Sequence, residues 1–252
     1  MKKMAFFLAV ILAMSSCVTD WNHNGNNTET TTKIVKTDSF DRIELMTSVN
    51  VVYRQGDSLT VTLTGPEKLL DKIVVKVVNG QLRIADKASW HFGFNSGLSF
   101  DDVSVAISSS DLIDVSLVGS GDLTTKGLID TDLLNVSLRG SGDMAFDTIV
   151  CDKIKAELIG SGDLKLGKIQ TQAANISLVG SGDLSGSLSQ TRQTLLNLLG
   201  SGDIDIHFAN CQEAKCKLLG SGDMNLSGRL DHIDRQKDGS GDIDTDKLTL
   251  KK

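Results

Sequence analysis

Residues 111–130 read DLIDVSLVGSGDLTTKGLID, and this stretch decides the fold because its central tetrapeptide, Gly119-Ser120-Gly121-Asp122, recurs along the chain. The tetrapeptide occurs seven times, beginning at Gly119, Gly140, Gly160, Gly180, Gly200, Gly220 and Gly239. A period of about 20 residues is typical of repeat proteins whose units stack on one another. The sequence therefore predicts a stacked architecture over this part of the chain.

Strands flank each tetrapeptide, as the spacing of apolar residues indicates. The residue two before the first glycine is a leucine in six copies, at Leu117, Leu138, Leu158, Leu178, Leu198 and Leu218. An apolar residue also follows every aspartate, at Leu123, Met144, Leu164, Leu184, Ile204, Met224 and Ile243. Because one unit cannot bury its apolar face alone, we expect an all-β fold. The predicted fold is a right-handed parallel β-helix, a solenoid whose rungs hold two or three short strands and turn at Gly-Ser-Gly-Asp.

The two ends of the stack depart from this regular pattern. Residues 34–110 read as irregular strands, with a hairpin at Asn79-Gly80. Residues 43–53 align with residues 115–125, so the sequence predicts a degenerate first rung. In the last unit the inward positions hold Ile233, Arg235 and Lys237, which is typical of a capping rung.

The first 33 residues read as an export signal and a tether. Lys2 and Lys3 precede an apolar run, and small residues then lead to Cys17. Residues 1–17 thus resemble a bacterial lipoprotein signal, in which Cys17 receives the lipid; an ordinary secretory signal is the alternative. Residues 18–33 predict a flexible Asn- and Thr-rich tether, and residues 34–252 a single β-solenoid domain, irregular over 34–110 and regular over 111–252.

Composition narrows the classes of partner and reaction. The chain has 252 residues and a formal net charge of −6, and it has no basic stripe, which excludes nucleic acid as an expected partner. His91, His207 and His232 are scattered, and the tetrapeptide differs from the G-x-S-x-G nucleophile elbow. We therefore expect no catalytic residues, and free buried thiols at Cys151, Cys211 and Cys216.

The aspartates of the repeat form one candidate site. In a β-helix they align in a column with a spacing of about 4.8 Å, where neighbouring carboxylates repel each other. The column consists of Asp122, Asp143, Asp163, Asp183, Asp203, Asp223 and Asp242. One interpretation is conformational, with side chains that accept hydrogen bonds from turn N–H groups. The other is a column of Ca²⁺ ions, the one cofactor that the sequence leaves open.

An aromatic segment at residues 90–100 forms a second candidate site. It reads WHFGFNSGLSF and contains Trp90, Phe92, Phe94 and Phe100. One interpretation is a flap that covers an end or side of the stack. The other is an exposed platform that binds a ligand, such as a glycan.

Four short stretches resemble one known family. They are SFDRI at 39–43, VNV at 49–51, QGD at 55–57 and VVNGQLRI at 77–84, followed by the Gly-Ser-Gly-Asp series. Together they are similar to the autotransporter adhesin family with a head GIN domain, found among exported proteins of Bacteroidetes-type bacteria. The resemblance covers about residues 34–250. It implies a β-solenoid in the cell envelope and supplies no catalytic or binding residues.

We therefore expect a non-catalytic binding or structural module of the cell envelope, an adhesin-like protein that recognises a glycan or a protein. Its predicted location is the outer membrane, with a lipid anchor as the membrane contact. Two alternatives stay open: a carbohydrate-active enzyme, either a lyase or a hydrolase, on the same scaffold, and a purely structural envelope protein.

Overall fold

The structure is a computed structural model that describes residues 30–87 and 99–251. These residues form eighteen strands and one short helix, α1, at Glu67–Leu70. The strands are β1 Thr30–Ile34, β2 Arg42–Met46, β3 Asn50–Gln55, β4 Thr60–Pro66, β5 Ile73–Val78, β6 Gln81–Asp86, β7 Ser104–Ser109, β8 Asp114–Gly119, β9 Leu123–Thr125, β10 Leu128–Gly140, β11 Met144–Ala145, β12 Thr148–Gly160, β13 Leu164–Gly180, β14 Leu184–Ser189, β15 Gln193–Gly200, β16 Ile204–Gly220, β17 Met224–Gly239 and β18 Ile243–Leu250.

The strands β8–β18 stack as successive rungs of a parallel solenoid. The first glycine of each tetrapeptide pairs with the first glycine of the next, from Gly119 with Gly140 to Gly220 with Gly239. This confirms the predicted all-β parallel solenoid. The prediction of two or three short strands per rung is wrong for β13 and β16, which are continuous over 17 residues. The ladder continues around bends at which Gly167 and Asn210 have φ of 58°.

The two glycines of each tetrapeptide meet different requirements. The first has φ between 126° and 143° in all seven copies, a region that side chains with a Cβ rarely adopt. The second is required by close approach: a Cβ on Gly162 would lie 1.9 Å from the carbonyl oxygen of Gly142 in the preceding rung. The corner therefore brings backbone against backbone.

Hydrogen bonds join successive corners directly. The carbonyl oxygen of Gly140 accepts from the backbone N–H groups of Ser161, at 2.9 Å, and Gly162, at 3.3 Å. The same double contact recurs in the following rungs as far as Gly222. The backbone N–H and C=O groups of each corner thus form hydrogen bonds with the adjacent rungs, as buried backbone groups require.

Inward-facing side chains fill the solenoid with a continuous apolar core. The six leucines that stand two residues before the first glycine are at most 2% exposed. The residues that follow the aspartates are also buried, as are Phe146 and Phe208 farther along their rungs. The core is packed, as expected from the period-2 pattern.

The N-terminal strands extend the same stack. Ile43 pairs with Val115 and Val51 with Leu123, which confirms the predicted degenerate rung. The strands β6 and β7 form a further rung by parallel pairing with β2 and β3. The strands β4 and β5 then pair antiparallel with β7 and β6, and the predicted hairpin turn at Asn79-Gly80 has positive φ at both residues.

The end of the predicted tether differs from the sequence expectation. Residues 30–33 belong to β1, which pairs antiparallel with β4. Threonine has a high strand propensity, and β4 offers an otherwise unpaired edge on that side. The folded part therefore includes Thr30, four residues before the predicted boundary.

The last rung carries the polar inward residues that the sequence predicts. Ile233, Arg235 and Lys237 pair with Ala214, Cys216 and Leu218 of the core-forming rung before them. The strand β18 pairs with β17 only between Met224 and Leu230, so the second half of β17 is a sheet edge. Charged side chains at an open edge discourage pairing with other chains.

We predict that Gly162→Ala destabilises the fold by about 3 kcal/mol or more, because the new methyl group meets a backbone oxygen that cannot move aside. Urea denaturation of the variant measures this loss. Gly56→Ala is the matched control, since a Cβ there meets only the Ser108 hydroxyl at 3.6 Å. Equal stability of the two variants would contradict the proposed close approach.

Candidate ligand-binding groove

The aspartates of the tetrapeptides link successive rungs. In six consecutive steps the backbone N–H of one aspartate donates to Oδ1 of the aspartate in the preceding rung, at 2.7–3.3 Å. Hydrogen bonds to a charged acceptor are stronger than neutral ones and offset repulsion along the column. The conformational interpretation is therefore confirmed, with the difference that the N–H group belongs to the next rung.

Calcium binding by this column stays a prediction. Within residues 30–87 and 99–251, no group of three or more His, Cys, Asp or Glu side chains is arranged to hold a metal ion. Each column carboxylate before Asp242 uses one oxygen for the inter-rung bond.

We predict that Asp143→Ala lowers the free energy of unfolding by about 1–2 kcal/mol, because the N–H of Asp163 loses its acceptor. Asp143→Asn keeps an oxygen there and removes a like charge, so it should stay within about 0.5 kcal/mol of the parent. Asp205→Ala, at an exposed outward carboxylate, is the control in the same denaturation series. Equal losses for Ala and Asn at position 143 would show that charge, not the acceptor, matters.

The predicted aromatic site falls largely outside the described residues. Trp90, Phe92 and Phe94 lie there, so their role stays a prediction. Phe100 is described and is 1% exposed, with its backbone N–H bonded to the Ser48 hydroxyl. A ring so deeply buried cannot stack on a surface ligand, and Phe100 is therefore corrected to a core residue.

In chain order the aromatic segment stands between β6 and β7, and these two strands pair with β2 and β3. Residues 47–49 between β2 and β3 lie against the first Gly-Ser-Gly-Asp corner, where Gly121 faces the carbonyl oxygen of Val49.

A groove of about 460 Å³ crosses five successive rungs on the outer surface. Its volume lies in the range of small-ligand sites, about 300–1,000 Å³. Ala173 and Ala174 pair with Lys153 and Ile154 of the preceding rung. Because the alanine side chains are short, a depression forms at their positions. The groove is lined by Leu133, Asn135, Lys153, Ile154, Lys155, Ala173, Ala174, Asn175, Gln193, Thr194, Leu195, Glu213 and Lys215.

Positive charge exceeds negative charge along the groove. Lys153, Lys155 and Lys215 face a single carboxylate, Glu213, which lies 3.5 Å from Lys215. Lys153 and Lys155 are exposed and form no ion pair within the described part of the chain. Free ammonium groups beside an apolar floor attract anionic ligands.

Thr194 lies on the fourth of the five rungs that line this groove. The residue is 3% exposed, and its hydroxyl oxygen has no hydrogen-bond partner. A buried hydroxyl without a partner costs free energy. Among the described residues that line the groove, Thr194 is the one with a buried side-chain polar atom that has no hydrogen-bond partner.

Sequence reasoning missed this groove. The 20-residue spacing places Lys155, Asn175 and Leu195 in one outward column, so the signal was present in the repeat register. The repeat register did not reveal that two neighbouring outward columns border a depression at the short side chains of Ala173 and Ala174.

The three described cysteines are free and buried, as predicted. Burial raises the pKa of Cys216 to about 12, and burial also raises the pKa of Cys151. The Cys151 thiol donates to the Thr171 hydroxyl of the next rung, at 3.6 Å. These groups are packed thiols and not activated nucleophiles.

We predict that Cys216 in the folded chain reacts very slowly with Ellman's reagent at about pH 8. A pKa raised from 9.0 to about 12 lowers the thiolate fraction about a thousandfold at that pH, and the rate should rise as the pH approaches 12. Stopped-flow absorbance of folded and urea-unfolded protein, with Cys216→Ser as control, measures the difference. A rapid phase in the folded chain that Cys216→Ser removes would contradict this.

A family model and several solved structures match this chain. The family model described as "Putative auto-transporter adhesin, head GIN domain" matches residues 39–208 and 174–252. No curated protein matches. Of the helices in the described residues, none has the length and hydropathy to cross a bilayer.

Solved structures share the fold at low sequence identity. A putative adhesin from Bacteroides fragilis is 20% identical with a TM-score of 0.73, over 89% of this chain and 98% of that one. A putative lipid binding protein from Parabacteroides distasonis is 23% identical with a TM-score of 0.70, over 86% and 98%. A putative adhesin from Parabacteroides merdae is 18% identical with a TM-score of 0.64, over 86% and 98%.

Proposed function

This chain belongs to the head GIN domain family of auto-transporter adhesins, and we propose that it is a non-catalytic, adhesin-like binding module of the cell envelope. Its ligand is an extended acidic glycan, or an acidic stretch of an extracellular protein, held in the groove between Leu133 and Lys215. The observation that carries this proposal is the unpaired positive charge of Lys153 and Lys155 beside an apolar floor.

The dimensions of the groove favour an extended chain as ligand. It crosses four rung steps, which corresponds to a length of about 19 Å. Lys153 and Lys155 lie on one rung and Lys215 three rungs farther on, about 14 Å away. Carboxylates spaced along a polymer could contact both groups, while Leu133 and Leu195 pack against its apolar faces.

A non-catalytic role agrees with the chemistry of the groove lining. Hydrolysis of a glycosidic bond generally uses two carboxyl groups on opposite sides of the bond. The lining contains one carboxylate, Glu213, and it is engaged by Lys215. The carbohydrate-active alternative would be supported by turnover of an acidic polysaccharide.

The amino-terminal sequence supports a proposal for the location of the module in the envelope. We propose that Cys17 carries the lipid, that the tether after it spaces the solenoid from the bilayer, and that the membrane is the outer membrane. A lipid contributes about 0.8 kcal/mol per buried CH₂ to anchoring.

A second candidate ligand is an acyl chain with an anionic head group. One structure with this fold is that of a putative lipid binding protein. The apolar floor formed by Ile154 and Ala174 would accept hydrocarbon, and the lysines would contact the head group. The same groove variants test both candidates.

We predict that the full chain, purified in detergent, binds acidic glycans or matrix proteins on an array, and that Lys153→Glu/Lys155→Glu weakens this binding at least tenfold. The loss should be larger at low ionic strength, because salt screens exposed charges. Lys165→Glu, an exposed lysine outside the groove, is the matched control and should change affinity less than twofold.

Three results would redirect the proposal. Unchanged binding in the groove variant together with loss in Trp90→Ala/Phe94→Ala would move the site to the aromatic segment. Binding of fatty acids but not glycans or proteins would favour the second ligand. An array without any signal would favour the purely structural role.

A further inference from the structure

An apolar stripe runs along the outside of the solenoid, beside the tetrapeptide corners. It consists of the outward residues directly before the first glycine: Val118, Ile159, Val179, Leu199 and Leu219, which lie in register on successive strands with Arg139 between the first two. Four of the five are 36–46% exposed, and Val179 is half-buried. Contiguous exposed apolar surface of this kind marks a contact with a partner.

On the side away from the corners, the surroundings of the stripe carry few charges. Two residues earlier on each strand lies a second outward column, in which Ser and Asn predominate and only Glu157 and Lys217 are charged. In the stripe's own column Arg139 lies near one end and Asp238 at the other. The charges of both columns thus have opposite signs at opposite ends.

We propose that the apolar stripe is the contact surface between two copies of this chain. The two-fold axis runs parallel to the strands, between Val179 and Leu199, so that the two sheets meet face to face. Such an axis reverses the order of the rungs. Each column of one chain therefore faces the same column of the partner chain, with its rungs in the opposite order. An interface of this kind is isologous, with every contact made twice.

In this register each of the two columns is complementary to the same column of the partner chain. Val179 packs on the partner's Leu199, and Ile159 packs on the partner's Leu219. At the ends of the stripe, Arg139 faces the partner's Asp238. In the neighbouring column Glu157 faces the partner's Lys217. Opposite charges fixed at both ends of an apolar contact set its register and exclude shifted pairings.

Other charged groups limit the strength of this contact. Arg139 also pairs with Glu157 of its own chain, at 3.3 Å. A third outward column holds Lys155 and Lys215, which would face each other across the axis at the rim, about 13 Å from the stripe. A narrow stripe with such a rim corresponds to a small interface, so the dimer should be weak and depend on concentration.

Cysteine cross-linking of the full chain in detergent tests the register. Facing sheets lie about 10 Å apart, so a short bismaleimide suits the distance. Ile159→Cys/Leu219→Cys should give a cross-linked dimer, whereas each single variant should not, because its cysteines are offset by three rungs. The two positions within one chain are about 14 Å apart, too far for this reagent. Cross-linking of either single variant would overturn the proposed axis.

Sedimentation velocity provides the second test. Leu199→Asp should raise the dissociation constant of the dimer at least tenfold, while Leu128→Asp, at an equally exposed leucine on another surface, should leave it unchanged. Lys217→Glu should weaken the dimer, and Lys217→Glu/Glu157→Lys should restore it. A parent chain that stays monomeric, or a dimer that Leu199→Asp does not affect, would refute the proposal.

Discussion

The close approach of backbone at the second glycine of each tetrapeptide is the constraint on which the rest of the structure depends. The carbonyl oxygen of one rung occupies the space that a Cβ of the next would need. This contact positions the N–H groups that bond to the preceding first glycine and the aspartate N–H that bonds to the preceding carboxylate. Once the corners are aligned, the leucines before them stack in one buried column. A single short motif therefore determines register, polar satisfaction and core packing together.

The same register organises the outer surface, where the sequence is free to vary. The inward leucine before the first glycine and the apolar residue after the aspartate repeat almost without change, whereas one outward column contains Lys155, Asn175 and Leu195 at equivalent places. Differences between rungs are what create the groove, through Ala173 and Ala174, and the apolar stripe, through residues such as Leu199. The two features lie on the strand segments that precede the corner. The solenoid thus supplies a rigid frame, and its binding properties come from the columns that the core does not constrain.

Much of this frame could be predicted from the sequence because the pattern is local and repeated. The spacing of Gly119 and Gly140, and the alignment of Ile43 with Val115, required only counting. The groove could not be predicted in this way, since it depends on how Ala173 and Ala174 sit between flanking columns. The burial of Phe100 also depends on tertiary packing: its backbone bonds to Ser48, 52 residues away. The continuous strands β13 and β16 were missed because Gly167 and Asn210 look like turn residues, although the ladder continues through them.

Native-state hydrogen exchange at the corners tests the central claim most directly. Ser161 is exposed and Asp163 is only partly buried, yet their N–H groups bond to Gly140 and to the Asp143 carboxylate in the preceding rung. If these bonds hold the rungs together, both amides should exchange only when the solenoid unfolds, as slowly as the core amides of Leu158 and Leu164. Exchange of Ser161 and Asp163 at the rate of an open surface loop would show that the corners are mobile turns and that core packing alone aligns the rungs.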